Sequence, residues 1–224
     1  MRNTILIIFL TVLLMACGRQ LKDFETPEAV LAQMRTDTAL IRELDSLAQI
    51  AIGPGAKCVD PVWHTFSYDD RLWFFNQDWG GVLEIPADYI PEDDLTQAEL
   101  SFHGTCAWSP DSLVLISFYA GFQVLTNNES LGAILTGLAK ADFDIQECVE
   151  EDDVHTIRAR NADGINFYGR HIAANEDGIE FEVFVRYPDE KTSEAQTVIK
   201  MADRYPSGPN GNIFKGEALS HEGE

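Results

Sequence analysis

The sequence predicts an α+β fold, a mainly antiparallel sheet flanked by helices, with a helical segment in front of it. Three observations predict this. From about Pro61 onward, short aromatic and β-branched runs are divided by turn residues, the pattern of strands being laid side by side. Two near-copies of one turn, Asn161-Ala162-Asp163-Gly164-Ile165 and Asn175-Glu176-Asp177-Gly178-Ile179, separate strand-like segments. Asp-Gly in that setting signals a hairpin, because glycine takes a positive φ without steric cost. Stretches at helical spacing stand before, between and after these runs.

The N-terminus reads as an export signal. Arg2 precedes a run from Ile5 to Met15 that is apolar except for Thr11 and stops at Ala16-Cys17-Gly18. That run is too short to span a bilayer and has the proportions of a signal core. Leu14-Met15-Ala16-Cys17 resembles the lipobox of bacterial lipoproteins, with Met15 standing where Ala or Ser is more usual. The resemblance implies cleavage before Cys17, which then carries the lipid as the first residue of the exported chain. Buried acyl chains contribute about 0.8 kcal/mol per methylene, so two or three of them hold a protein to a membrane durably. Residues 1–16 are therefore expected to be the signal peptide and 17–25 a polar tether. The expected location is the bacterial cell envelope, lipid-anchored to a membrane and facing the periplasm or the cell exterior.

Residues 26–52 form the N-terminal helical segment. Thr26-Pro27-Glu28 reads as an N-cap, a proline at the first helical position and an acid in the first turn. Val30, Met34, Ile41, Leu44 and Ala48 follow at helical spacing until Gly53-Pro54-Gly55 ends the pattern, giving one long helix or two short ones. The α+β domain is expected over 60–206. Its strands are read at Val62 to Tyr68, Leu72 to Asn76, Val82 to Ile85, Ala98 to His103 and Leu113 to Tyr119. Asn128-Glu129 then caps a helix with the stripe Leu131, Ile134, Leu135 and Leu138.

The repeated turns predict a three-stranded meander over roughly Val154 to Tyr187. In its last strand Ile179, Phe181, Val183, Val185 and Tyr187 share one face and Glu180, Glu182 and Arg186 the other. After Pro188 a helix starting near Thr192 or Ser193 buries Ala195, Val198, Ile199 and Ala202. Residues 207–224, rich in Gly, Asn, Ser and Glu, read as a flexible tail.

Charge narrows the partners. The full chain has 16 Lys plus Arg against 37 Asp plus Glu, and loss of Arg2 with the signal leaves a formal charge of −22. Such a surface repels phosphate backbones and anionic headgroups, which argues against nucleic acid as a partner and leaves membrane contact to the lipid. Besides Cys17 there are Cys58, Cys106 and Cys148, and three cysteines allow at most one bridge within the chain. The sequence does not select the pair. Cys58 with Cys106 is the preferred one, and Cys148, in an alternating segment, reads as a buried small hydrophobe.

The order of strands, helix, meander and a helix directly after Tyr187-Pro188 is similar to the α/β/α sandwich of the PsbP-like proteins, extrinsic subunits of photosystem II with many bacterial relatives. The segment Trp79-Gly80-Gly81-Val82-Leu83-Glu84-Ile85-Pro86-Ala87-Asp88-Tyr89 resembles that family's opening strand and proline-containing turn. The resemblance covers about Trp73 to Arg204, implies a binding or assembly role rather than catalysis, and transfers no functional residue to this chain. A second resemblance concerns modification. Asp37-Thr38-Ala39, Asp45-Ser46-Leu47 and Asp111-Ser112-Leu113 are similar to the tripeptides at which Bacteroides-type bacteria O-glycosylate exported proteins, which makes Thr38, Ser46 and Ser112 candidate acceptors.

Motifs for chemistry are sparse. The chain has no Gly-x-Ser-x-Gly, His-Glu-x-x-His or phosphate-binding loop. His64, His103, His155, His171 and His221 are scattered singly. His103 and Cys106 are close in sequence but fall on opposite sides of a strand, so no metal ligand set and no cofactor is expected. Carboxylates cluster at Asp69-Asp70, Glu92-Asp93-Asp94 and Glu150-Glu151-Asp152-Asp153, without calcium-loop spacing, and read as solvated loops. Trp63, Phe66, Tyr68, Trp73, Phe74, Phe75 and Trp79 could form a stacking platform, but alternation puts Trp73 and Phe75 opposite Phe74 and favours core packing. Trp79, beside Gly80-Gly81, is the candidate exposed aromatic.

The expectation drawn from these features is a lipid-anchored envelope protein with a binding or structural role, its partner a protein or a glycan and no catalytic residue assigned. The alternative is an envelope or extracellular glycan hydrolase using two carboxylates that folding brings together.

Overall fold

The computed structural model of the chain describes residues 27–62, 64–75, 81–92, 102–122, 125–173 and 178–204. Cys17, Trp63, Trp79, the tether and the tail lie outside the described residues. The molecule has the α+β architecture expected, antiparallel sheets flanked by a few helices.

Two helices, α1 (Pro27–Thr36) and α2 (Thr38–Ala51), come first. They are separate because Asp37 leaves the helical conformation and caps α2, its carboxylate accepting from the N–H groups of Ala39 and Leu40 at 2.9 and 3.2 Å. Leu44 and Ala48, with Ile52 just beyond the helix, form the buried face. That face lies on a four-stranded antiparallel sheet, β1 (Lys57–Asp60), β2 (Thr65–Tyr68), β3 (Arg71–Phe75) and β4 (Val82–Ile85), in chain order.

This sheet is buried on both faces. Phe66, Trp73, Phe75 and Val82 pack with Leu44, Ala48 and Ile52, while Phe74, Leu83 and Ile85 join the main core on the other side. The alternation read for Trp73 to Phe75 therefore holds, and these aromatics are core rather than a stacking platform. The indole N–H of Trp73 has no hydrogen-bond partner among the described residues.

The second sheet has seven strands. They are β5 (Ile90–Glu92), β6 (Phe102–Trp108), β7 (Leu115–Phe122), β8 (Phe143–Glu151), β9 (Val154–Asn161), β10 (Ile165–Ile172) and β11 (Ile179–Pro188), in the order β5-β6-β7-β11-β10-β9-β8. The meander of β9, β10 and β11 is the one the repeated Asp-Gly turns predict, with Gly164 and Gly178 at φ of 77° and 75°. A side chain on Gly164 would come within 2.9 Å of the Asp189 carboxylate.

Helix α3 (Asn127–Lys140) lies against one face and α4 (Thr192–Ala202) against the other. The cap of α3 is Thr126, not Asn128. Thr126 and Glu129 form a reciprocal capping box, the Glu129 carboxylate accepting from the Thr126 N–H at 2.9 Å, which is the spacing Thr-x-x-Glu permits. Helix α4 buries Ala195, Val198, Ile199 and Ala202 as expected.

Ala195, Val198 and Ile199 meet Ile179, Phe181, Val183 and Val185 of β11 and Phe74, Leu83 and Ile85 of the smaller sheet in one core. Phe74 stacks on Phe118 across the sheets, with ring centroids 5.4 Å apart. At the edge of the smaller sheet the buried Glu84 of β4 lies between two arginines that remain largely exposed, Arg71 at 3.1 Å and Arg204, just past α4, at 3.2 Å.

Phe74→Ala should unfold in urea with a loss of about 3–5 kcal/mol, because it removes a fully buried ring where both sheets share a core cluster. Ile50→Ala, at an exposed position of α2, should stay within about 0.5 kcal/mol. Equilibrium unfolding followed by circular dichroism distinguishes the two.

Candidate functional site

Antiparallel pairing sets residues of neighbouring strands directly opposite one another. In the larger sheet the register makes a row of polar groups across five strands: Glu150 of β8 opposite His155 of β9, His155 opposite His171 of β10, His171 opposite Glu182 of β11, and Glu182 opposite Tyr119 of β7. Glu180 shares the face of Glu182, two residues away. This is the face on which α3 packs further along the strands, against Ile157, Ala159 and Phe167.

The row is dry. Exposure is 0 % for His171, 1 % for Glu180, 5 % for His155 and 7 % for Glu182. Nε2 of His171 lies 3.2 Å from the Glu180 carboxylate, Nδ1 of His171 lies 3.5 Å from Nδ1 of His155, and Nε2 of His155 faces Glu150 at 3.6 Å. Only Glu150 reaches water. Burial pushes the Glu182 carboxyl up to about 7; His171 opposes that shift and Glu180 adds to it. The row can thus hold a proton within the sheet, away from solvent. Among the described residues no group of three or more His, Cys, Asp or Glu has the arrangement to hold a metal ion.

Sequence reading missed this cluster. It took His155 and His171 as isolated and set Glu180 and Glu182 only on the face opposite the apolar one. The two histidines stand eight residues either side of Asp163, so the first Asp-Gly turn fixes their pairing, and the second does the same for His171 and Glu182. A hairpin register counted outward from the turns was the signal available.

The other anticipated residues are dispersed. Asp69-Asp70 and Asp152-Asp153 have positive φ at both positions, between 49° and 62°, and form the tight two-residue turns of β2–β3 and β8–β9. These acidic clusters are turn chemistry. Thr38 is the first residue of α2, Ser46 is exposed within it and donates to the Arg42 carbonyl at 2.9 Å, and Ser112 is exposed at positive φ in the β6–β7 turn. Beside it the Asp111 carboxyl is lowered to about 2, first by its hydrogen bond from Lys191 and then by that from Ser109.

The expected cysteine pair is corrected. Cys58 on β1 and Cys106 on β6 stand in different sheets, and all three described cysteines are thiols. Cys106 is buried with its Sγ 3.4 Å from the Glu92 carbonyl. Cys148 is exposed rather than buried, because β8 is an edge strand and its outer half carries no covering element. Burial, then the charges of Asp45 and Asp60, push the Cys58 thiol up to about 12. The side chain of His103 and residues Asp93 and Asp94 lie outside the described residues.

No family model and no curated protein matches the chain. Among solved structures it is similar to the solution structure of cyanobacterial PsbP (CyanoP) from Synechocystis sp. PCC 6803, with a TM-score of 0.46 and 10 % identity over 59 % of this chain and 89 % of that one.

Glu182 gives a pH dependence. Its carboxyl is raised in the fold, so the protonated form is the one the fold prefers; that contribution is complete below the ordinary carboxyl value of 4.5 and is lost as pH rises through about 7. Glu182→Gln should match the wild type near pH 5 and exceed it by roughly 2–3 kcal/mol near pH 8, read from urea midpoints at both pH values. An unchanged gap would show that Glu182 ionises freely. For the thiols, native alkylation with a maleimide should label Cys148 first, with Cys58 and Cys106 reacting only on unfolding, as counted by mass spectrometry.

Proposed function

We propose that the protein is a lipid-anchored component of the bacterial envelope that works by binding or assembly at its surface, without turning over a substrate. The observation that carries this reading is the contrast between its sealed interior row and its open edge. Every residue of β8 after Phe143 is exposed; the strand bears Asp144, Glu147, Glu150 and Glu151 together with the exposed apolar side chains Ile145 and Val149. Mixed acidic and apolar groups on an uncovered strand give a partner both charge to recognise and surface to bury.

The lipobox-like Leu14-Met15-Ala16-Cys17 supports the anchor, and the net charge of −21 supports a division of labour in which the lipid holds the membrane and the folded part faces away from anionic headgroups. Among the described residues no helix is long and apolar enough to cross a bilayer. Thr38, Ser46 and Ser112 are all exposed, as acceptors for a glycosyl transferase must be, and Ser112 lies on a turn rather than in a helix.

The hydrolase alternative has one observation in its favour, since Glu180 and Glu182 lie two residues apart on one face. Against it, Glu180 is engaged by His171 and both carboxylates are buried, whereas glycosidic cleavage needs two carboxyl groups flanking a bound sugar.

Two measurements test the proposal. Wild type should partition into the detergent phase and Cys17→Ala into the aqueous phase while still folding; a substituted protein that stays with the membrane removes the lipid as anchor. Purified protein offered a panel of glycans should show no turnover. Turnover that Glu180→Gln or Glu182→Gln abolishes, with circular dichroism unchanged, would establish the hydrolase instead.

A further inference from the structure

The two imidazoles of the buried row meet through like atoms. Nδ1 of His155 and Nδ1 of His171 are 3.5 Å apart, and Nε2 of each ring is turned toward a carboxylate, Glu150 at 3.6 Å and Glu180 at 3.2 Å. A carboxylate accepts hydrogen bonds, so the 3.2 Å contact with Glu180 puts hydrogen on Nε2 of His171, and the charge of Glu150 across 3.6 Å favours the same nitrogen of His155. In two neutral rings so oriented, both Nδ1 atoms would present lone pairs to each other inside the sheet. One additional proton converts that repulsion into an N–H···N hydrogen bond. The same proton supplies the positive charge that the buried Glu180 carboxylate needs within the sheet.

We propose that this row is a proton-operated clasp: one proton shared between His155 and His171 fastens the outer strands β8 and β9 to β10 and β11, and its departure loosens them. The groups facing the pair are Glu150 from β8, Glu180 and Glu182 from β11 and Tyr119 from β7 in the neighbouring register position. Arg158 and Arg170 lie on the opposite face, Arg158 over the Tyr168 ring at 4.9 Å and Arg170 donating to the Ala202 carbonyl at 3.0 Å, so neither supplies the charge. Helix α3 meets this face with leucines and an isoleucine.

Past its irregular register between Ile145 and Glu147, β8 is held among the described residues by its ladder to β9 and by the ion pairs of Glu147 with Arg158 at 3.1 Å and of Glu150 with His155. The second contact belongs to the clasp. The closed arrangement binds one more proton than the open one, so raising the pH favours opening, by up to tenfold per pH unit for a single proton. The inference stands independently of the lipid-anchored binding reading.

The experiment is amide hydrogen exchange on the detergent-solubilised full chain between pH 5.5 and 8.5, with rates corrected for their intrinsic pH dependence. Protection over 143–161 is expected to fall across that range by at least tenfold more than protection over 179–188, which follows the titration of Glu182. In a folded His155→Gln or His171→Gln variant that selective fall should vanish. Imidazole nitrogen NMR of the wild type at the acidic end covers the case in which neither variant folds. It should show hydrogen on both Nε2 atoms and Nδ1 signals averaged between the protonated and unprotonated positions.

Equal protection at all pH values, a ring whose Nε2 lacks hydrogen, or a persistent fall in a folded variant would each overturn the clasp. So would a stoichiometric transition metal in the purified protein, because a cation other than a proton would then lie between the rings.

Discussion

Strand β11 is the middle strand of seven, and the need to fill both of its faces governs the arrangement around it. On one face Ile179, Phe181, Val183, Val185 and Tyr187 require an apolar cover, which α4 and the inner face of the smaller sheet supply together. On the other face the strand presents Glu180, Glu182, Phe184 and Arg186. Phe184 packs between Tyr119 and Phe167, and Arg186 lies over the Trp108 ring at 5.6 Å. The two glutamates have no such outlet. His171, across from one and bonded to the other, is what makes their burial tolerable, since a buried carboxylate without a counter-group is heavily penalised.

Local patterns were legible wherever one residue type decides one backbone feature. The Asp-Gly turns gave the meander, the alternation of β11 gave its apolar face, and the spacing of Ala195, Val198, Ile199 and Ala202 gave the last helix. Less legible were features decided by what lies above a strand. The early strands form a sheet of their own, because β4 pairs with β3 and the chain then leaves to begin another sheet at β5. Periodicity marks strands but not the sheet they join. The burial of Glu180 and Glu182 was not legible for the same reason: alternation separates two faces without saying which are wet. Cys148 was misjudged in the opposite sense, taken as buried in a strand that turned out to be an edge.

The candidate site was half legible. Its residues were all visible, and the turns that align them were identified, but pairing register was not carried from the turns to the histidines. The result is a row assembled from five strands with no motif in the linear chain. Carboxylates and imidazoles brought together in this way have the chemistry of a proton-binding site, while the acids that are consecutive in sequence, Asp69-Asp70 and Asp152-Asp153, are accounted for by the backbone they bend.

The order of strands has a kinetic consequence. In β6–β7, β8–β9, β9–β10 and β10–β11 each strand pairs with its neighbour in sequence, but β7 pairs with β11, so Leu115 finds Arg186 and Phe122 finds Ile179 only after all the intervening chain exists. Pairings between distant segments close slowly, because the loop entropy is lost before any contact compensates it. A chain emerging from its N-terminus therefore cannot complete the larger sheet until nearly the whole domain has been synthesised. The contact between Arg204 and Glu84 waits longest of all. Such a late-closing topology keeps the larger sheet open through most of synthesis, and leaves its final locking step to the arrival of the last strand.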